Sequence, residues 1–136
     1  LDVVENDLGV SPQTTNLILP IGATIHMDGT SMFQGITAVF LAQFFAGGME
    51  MTDQLLMIGM ATLASIGAPA VPSAGLVLLM GILASLGYQA WWVALVFPID
   101  RILDLTRTAI NVTGDAAVAT LIAQSEGEFT SDKSSQ

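Results

Sequence analysis

Long stretches of this chain contain no charged residue, and this feature limits its fold more than any other. No charge occurs in the 46 residues between Asp53 and Asp100, nor in the 21 between Asp28 and Glu50. A helix needs about 20 apolar residues to cross a bilayer core of roughly 30 Å. Only 11% of the whole chain is charged, against roughly 25% in soluble domains. We therefore predict an all-α membrane protein.

Net charge and residue content exclude several functions. Twelve acidic residues against three basic ones give a net charge of −9, so the chain lacks the basic surface that nucleic acid requires. Without cysteine it has no disulfide and no thiolate site. No serine lies in the G-x-S-x-G pattern of hydrolases. We expect no nucleic-acid partner and no enzyme activity.

The first long apolar segment, residues 12–47, predicts a transmembrane helix that is broken in the middle. Pro12 suits a first helical turn, because its missing N–H is not needed there. The polar sequence HMDGT, at His26–Thr30, then interrupts the apolar residues. Inside a bilayer, irregular backbone is tolerated only where it is buried in protein or lines a cavity. We therefore expect this break to bind something.

Residues 53–86 predict a re-entrant helical hairpin. Its first helix would rise only roughly 20 Å, too little to span a bilayer. The sequence SIGAPAVPSAG at Ser65–Gly75 is rich in turn residues, and a second short helix follows it. The alternative is a kinked helix pair inside a soluble core, which the missing charges disfavour.

A last transmembrane helix is predicted over residues 90–124, with a polar stripe along one face. The polar residues are spaced 4, 3, 4 and 4 apart, which places them within an arc of about 80°. Each charge would cost at least ~2.5 kcal/mol at the bilayer centre, so the stripe must face protein or water. For Asp100, the first residue of the stripe, a structural ion network and a functional site are equally good explanations. For the other four residues, a functional site is favoured. The stripe consists of Asp100, Asp104, Arg107, Asn111 and Asp115.

The residue types on the stripe indicate a ligand chemistry. Broken helices and polar stripes at the bilayer midplane are how secondary transporters bind substrates and ions. Arg107 offers a planar fork that suits a carboxylate, and Asp104 suits an ammonium group. A ligand with both groups and a second carboxylate is an acidic amino acid. Asp28 and Asp115 provide hard oxygen atoms for a small cation.

Three motifs, HMDGT, SIGAPAVPSAG and DLTRTAINVTGD, together resemble the C-terminal core of the glutamate transporter family, the dicarboxylate/amino acid:cation symporters. The family has Asn at the first position of the first motif, and the other two motifs match well. The resemblance implies sodium-coupled symport of aspartate or glutamate by an inverted-repeat transporter. It also implies a multi-pass protein of the cell membrane, with a cytoplasmic C-terminus and a homotrimer formed through regions absent here.

The resemblance places this chain in roughly the last third of a longer protein. Residues 1–125 would form the C-terminal part of its transport core, and we expect residues 126–136 to be a disordered polar tail without a site. For the substrate, the resemblance implies that Asp104 binds the amino group and Arg107 the side-chain carboxylate. The rest of the substrate site would be Thr30, Thr108, Asn111 and backbone groups of Val71 and Gly75.

The resemblance also implies three sodium sites. The first would use Asp115 with the carbonyl groups of Gly22, Asn111 and His26. The second would use the carbonyl groups of Thr24, Ser65, Ile66 and Ala68, and the third Asp28 with the side chain at position 26. His26 replaces the usual Asn, which leaves open whether the ring is a ligand, fills the site or links coupling to a proton. Gln34 replaces a glutamate of the mammalian members, which argues against their proton and potassium exchange.

Two other functions remain open from the sequence. The same scaffold could carry a C4-dicarboxylate or a neutral amino acid, coupled to protons or sodium. The first ligand would leave Asp104 unpaired and the second would leave Arg107 unpaired, and a buried unpaired charge is costly. The chain could also be an integral membrane protein whose stripe is purely structural, although such a subunit gains nothing from a break at Asp28.

Overall fold

A computed structural model describes residues 1–69 and 71–129 of the chain, and these ranges are mostly helical. The predicted all-α class is confirmed, because the described residues contain no β-strand and only one isolated bridge, between Val10 and Phe129. The helices are α1 (Asp2–Asn6), α2 (Pro12–Ile25), α3 (Asp28–Ala46), α4 (Met51–Ser65), α5 (Ala74–Ser85) and α6 (Asp100–Glu126).

The break in the first long segment is shorter than predicted. Only His26 and Met27 leave helical geometry, with φ/ψ of −118°/75° and −113°/59°. The next three residues of HMDGT already belong to the first turn of α3. An acidic residue at a helix N-terminus is favourable, so Asp28 begins α3 rather than extending the break. The break predicted over five residues therefore spans two.

The hairpin consists of α4 and α5, joined by residues 66–73, which we call the tip. Pro69 and Pro72 oppose continuation of α4 because proline has no N–H to donate and restricts the preceding residue. Within the tip, Ala70 lies outside the described residues. Both helices pack against α3 around a core that includes Leu41, Leu79 and Leu83, each with 0% exposure.

The last helix begins ten residues later than predicted, at Asp100 instead of residue 90. Two short 3-10 segments, Ala90–Leu95 and Phe97–Ile99, precede it. Pro98 explains the late start, since it lacks the N–H that an interior position of a continuous helix would donate. The helix ends at Glu126, where Gly127 adopts a left-handed φ of 69°. The stripe is otherwise oriented as predicted, because Asp100, Arg107 and Asp115 are buried.

The first residues after α6, 127–129, contact the start of α2. The Glu128 carboxylate accepts hydrogen bonds from the hydroxyls of Ser11 and Thr14. The Ser11 N–H also donates to the Glu128 carbonyl at 3.0 Å. These contacts fix residues 127–129 against the start of α2. Residues 130–136 of the expected tail lie outside the described part.

Large apolar side chains are common on the surface. Ile36, Leu63 and Leu105 are 68%, 72% and 73% exposed, and they lie on three different helices. Within the described ranges, no single helix combines the length and hydropathy needed to cross a membrane.

Candidate functional site

A cavity of about 290 Å³ lies where the end of α2, the start of α3, the tip and α6 meet. Its walls carry two carboxylates, Asp104 and Asp115, and one guanidinium, Arg107. The volume is at the lower end of the range for ligand pockets, so the cavity suits a small molecule. All residues predicted to bind substrate line it: Thr30, Val71, Gly75, Asp104, Arg107, Thr108 and Asn111.

Arg107 is the central charge of this cavity and is only 5% exposed. Its Cζ lies 4.3 Å from the centre of the Phe33 ring, a favourable position for a cation over an aromatic face. Nη2 contacts the Asp104 carboxylate directly and lies 3.6 Å from Oδ1 of Asp100. Nη1 is buried and has no hydrogen-bond partner among the described residues. The guanidinium therefore has one donor group without an acceptor.

The first turn of α5 brings Gly75 directly against this guanidinium. A Cβ atom on Gly75 would overlap Nη1 of Arg107 and would lie 3.6 Å from Cδ1 of Phe33. Glycine therefore allows the hairpin backbone to approach the charge more closely than any other residue would. The approach of residues 65–75 to Asp104 and Arg107, expected from the sequence, is present in the structure.

Asn111 joins the start of α3 to α6. Its Oδ1 accepts a hydrogen bond from the Gly29 N–H at 2.8 Å, and its Nδ2 donates to Oγ1 of Thr30 at 3.4 Å. The first contact satisfies one of the N–H groups that a helix N-terminus leaves unpaired. The Thr108 hydroxyl donates to the Asp104 carbonyl at 2.8 Å, so its proton is used within α6.

His26 lies between two of the carboxylates predicted to bind cations. Its Nε2 is 3.0 Å from Oδ2 of Asp28, and its Nδ1 is 3.1 Å from Oδ1 of Asp115. A neutral imidazole has only one N–H, so both contacts are hydrogen bonds only if both nitrogens carry protons. The ring already engages the Asp28 carboxylate, and these residues do not fit a separate sodium ion of the third predicted site.

The first predicted cation site includes Asp115, whose Oδ1 also lies 3.1 Å from Nδ1 of His26. Asp115 is 7% exposed, and a Cβ on Gly22 would lie 2.8 Å from its Cγ, so the α2 backbone lies close to the carboxylate. Carboxylate and carbonyl oxygens are the ligand type that hard cations prefer. In residues 1–69 and 71–129, no group of three or more His, Cys, Asp or Glu side chains could hold a metal ion. A cation beside Asp115 would therefore depend on backbone carbonyl groups.

The residues of the second predicted cation site meet where α2 ends beside the tip. The Gly67 N–H donates to the Thr24 carbonyl at 2.7 Å, and the Ala68 N–H donates to the Ser65 carbonyl at 3.4 Å. Ala68 lines the cavity, whereas Thr24, Ser65 and Ile66 do not. Two of the four predicted carbonyl ligands thus already accept backbone hydrogen bonds.

Comparison with known proteins gives this arrangement a context. A model of the sodium:dicarboxylate symporter family matches residues 1–125. The chain belongs to the sodium:dicarboxylate symporter family. The resemblance predicted from the sequence motifs is thereby confirmed. The description of the family is that of a symporter family rather than an enzyme family, as the sequence predicted.

Individual relatives of this chain are excitatory amino acid transporters. The chain is 42% identical over 119 residues to an excitatory amino acid transporter from Onchocerca volvulus. The aligned region covers 88% of the chain and 24% of that relative. Identity to excitatory amino acid transporter 2 of Mus musculus is 41% over 123 residues, covering 88% of the chain and 21% of the relative. The chain therefore spans less than a quarter of the length of these relatives.

Two residues near the cavity were missed by the sequence analysis. Phe33 follows Thr30 by three residues on α3, so helical periodicity from Thr30 would have placed both on one face. Ser73 donates a hydrogen bond to Asp100 at 2.7 Å. No periodic signal predicts that contact, because it depends on how the tip folds back onto α6.

Proposed function

We propose that the whole protein is a sodium-coupled symporter of an acidic amino acid, aspartate or glutamate, and that this chain holds the main part of its substrate site. The observation that carries this proposal is the buried Arg107 guanidinium, whose Nη1 has no partner among the described residues and lies beside the cavity. A buried donor group without an acceptor is costly, and the planar guanidinium matches a carboxylate in two parallel hydrogen bonds.

The contact between Asp104 and Arg107 supports an amino acid rather than a simple dicarboxylate. Each of these side chains neutralises the other, so a ligand that binds Arg107 through a carboxylate takes away the partner of Asp104. An ammonium group on the same ligand restores that partner. A dicarboxylate would leave Asp104 unpaired, and a neutral amino acid would leave Nη1 of Arg107 without an acceptor.

A sodium ion beside Asp115 completes the proposed site. Asp115 and the nearby backbone of Gly22 and Asn111 would hold the ion, which would supply the positive charge that the buried carboxylate needs. The family description, which includes sodium, supports this choice. His26 occupies the space between Asp28 and Asp115, so we propose no separate ion at Asp28.

We propose that the protein acts in the cell membrane and that the hairpin covers the substrate site. The exposed apolar side chains of α3, α4 and α6 support a lipid or protein environment, because soluble monomers rarely expose large apolar patches. Two contacts of the hairpin support the second part of the proposal: Gly67 of the tip meets the end of α2, and Gly75 of α5 meets Arg107.

Transport by the whole protein tests the proposal. The purified full-length protein is reconstituted into vesicles, and uptake of radiolabelled aspartate is measured with an inward sodium gradient. We expect uptake to require sodium, and we expect excess unlabelled aspartate or glutamate to compete with it. Succinate and serine should compete at least tenfold more weakly, because each leaves one buried charge unpaired.

Two results would contradict the proposal. Succinate that competes better than aspartate would indicate a dicarboxylate carrier. Uptake that follows a proton gradient in the absence of sodium would show that the coupling ion is a proton rather than sodium. Vesicles with equal potassium on both sides and no sodium are the matched control.

A further inference from the structure

The Ser73 hydroxyl forms an unusual contact for a serine at the start of a helix. Ser73 is the N-cap residue of α5, but its side chain does not cap that helix. Serine at this position normally accepts a hydrogen bond from the first helical turn. Here Oγ donates to Oδ2 of Asp100 at 2.7 Å, across 27 residues of sequence. The hydroxyl therefore connects the tip to α6.

The backbone of Ser73 also needs stabilisation. Its φ of 63° lies in the left-handed region, and among residues 1–69 and 71–129 it is the only residue other than glycine with a positive φ. A side chain makes this conformation unfavourable, so contacts elsewhere must compensate. The hydrogen bond to Asp100 is the side-chain contact that does so.

Asp100 connects Ser73 with Arg107. It is 3% exposed, and Ser73 occupies its Oδ2. Its Oδ1 has no hydrogen bond and lies 3.6 Å from Nη2 of Arg107, an ion pair longer than a hydrogen bond. The two oxygens of one carboxylate thus face the tip and the guanidinium respectively.

We infer that the Ser73–Asp100 hydrogen bond holds the tip on α6 and that Asp100 is a positioning residue, which acts on substrate through Arg107. When the tip is in place, Ser73 holds Asp100 at a distance from Arg107, and the guanidinium remains available to the cavity. When the tip leaves, Oδ2 is released and Asp100 competes with the substrate carboxylate for Arg107. This inference rests on the proposed function for its effect on substrate, whereas the contact itself can be tested without substrate.

The first test measures aspartate dissociation from the full-length protein in sodium. Ser73→Ala removes the hydroxyl but keeps the Cβ and its conformational cost. We expect dissociation about tenfold faster, the effect of losing one hydrogen bond to a charged group. Ser73→Asn should recover most of the wild-type rate, because Asn tolerates the left-handed conformation and its amide can donate to Asp100.

Ser85→Ala is the matched control. Ser85 is an exposed residue at the other end of α5, and its hydroxyl donates to the Gly81 carbonyl within the helix. The same chemical change there should leave aspartate dissociation unchanged. Equal dissociation rates for wild type and Ser73→Ala would overturn the inference.

The second test uses hydrogen exchange of the full-length protein without substrate. The N–H groups of Leu76 and Val77 donate to the Ser73 carbonyl at 3.1 and 3.4 Å, so their exchange reports on the start of α5. We expect Ser73→Ala and Asp100→Ala each to accelerate exchange about tenfold. The double variant should be no faster than either single one, because both remove the same contact. Additive effects would overturn the inference.

Two further outcomes are distinguishable. If Asp100→Ala does not fold, Asp100→Asn replaces it, because its amide oxygen still accepts a hydrogen bond from Ser73 but carries no charge. We then expect an exchange rate between those of wild type and Ser73→Ala. Exchange equal to wild type in both Ser73→Ala and Asp100→Asn would overturn the inference. If the wild-type protein binds no aspartate, the proposed function fails, and hydrogen exchange still decides whether the contact holds the tip.

Discussion

At the scale of single residues, Arg107 determines what the cavity can bind. Phe33 lies below its guanidinium, Asp104 and Asp100 approach Nη2, and Gly75 lies against Nη1. Nη2 and one face of the guanidinium thus have partners, whereas Nη1 has no hydrogen-bond acceptor among the described residues. One carboxylate of a ligand is enough to complete this set, and selectivity should depend on that single interaction.

Replacement of Arg107 by cysteine should change the substrate rather than abolish binding. Arg107→Cys removes the carboxylate partner but leaves Asp104 for an amino group. In the full-length protein we expect aspartate affinity to fall about 100-fold, the loss of two charged hydrogen bonds. Serine or alanine should bind at least as well as before. Binding of each amino acid is measured by calorimetry in sodium.

The control for this prediction is Arg101→Cys. Arg101 is exposed on another face of α6, so the same substitution should leave aspartate affinity unchanged. Aspartate affinity retained in Arg107→Cys would show that another group binds the carboxylate.

At the scale of elements, α5 contains two glycines in very different surroundings. Gly75→Ala would place a Cβ onto Arg107, whereas a Cβ on Gly81 would meet no other atom within 4 Å. We expect Gly75→Ala to move α5 away from α6 and lower aspartate affinity at least tenfold. Gly81→Ala should instead raise the free energy of unfolding by roughly 0.5–1 kcal/mol, since alanine favours helix.

Thermal unfolding and aspartate binding of the two full-length variants check this prediction. The substitution is identical and lies in the same helix, so helix propensity alone predicts the same result at both positions. Equal effects would show that the close approach of Gly75 to Arg107 has no energetic importance.

The elements also show what a sequence can and cannot predict. Helical spacing placed the stripe of α6 on one buried face, because a period of 3.6 residues fixes directions around a single helix. It did not place the start of α6, since apolar residues 90–99 suit a helix until the effect of Pro98 is considered. Contacts between elements, such as Ser73 with Asp100, depend on the tertiary fold and leave no periodic pattern.

At the scale of the whole molecule, the two ends of the described chain are joined. Val10 pairs with Phe129, and Ser11 and Thr14 at the start of α2 contact Glu128 beyond the end of α6. Composition suggested only a polar tail here, because the sequence gives no indication of which end a polar residue will meet. This connection adds a contact at one end of the interface between α2 and α6. The cavity depends on that interface, because both helices line it.

The connection should depend on pH. Hydrogen bonds from Thr14 and then Ser11 lower the pKa of the Glu128 carboxyl below its ordinary value of 4.5. Because the folded pKa is lower than the unfolded one, the stabilisation is fully present above the ordinary pKa and is lost as pH falls through the lowered value. Order in residues 127–129 should therefore decrease as the pH falls below 4.5, the ordinary pKa of the group.

Nuclear magnetic resonance titration of the labelled Glu128 carboxyl group in the full-length protein measures this shift directly. Ser11→Ala combined with Thr14→Val removes both hydroxyl donors, so the pKa of Glu128 should rise towards its ordinary value. Ser125→Ala is the control, because the Ser125 hydroxyl donates to the Ile122 carbonyl and does not contact Glu128. An unchanged pKa in the double variant would mean that the two hydroxyls do not hold this carboxylate.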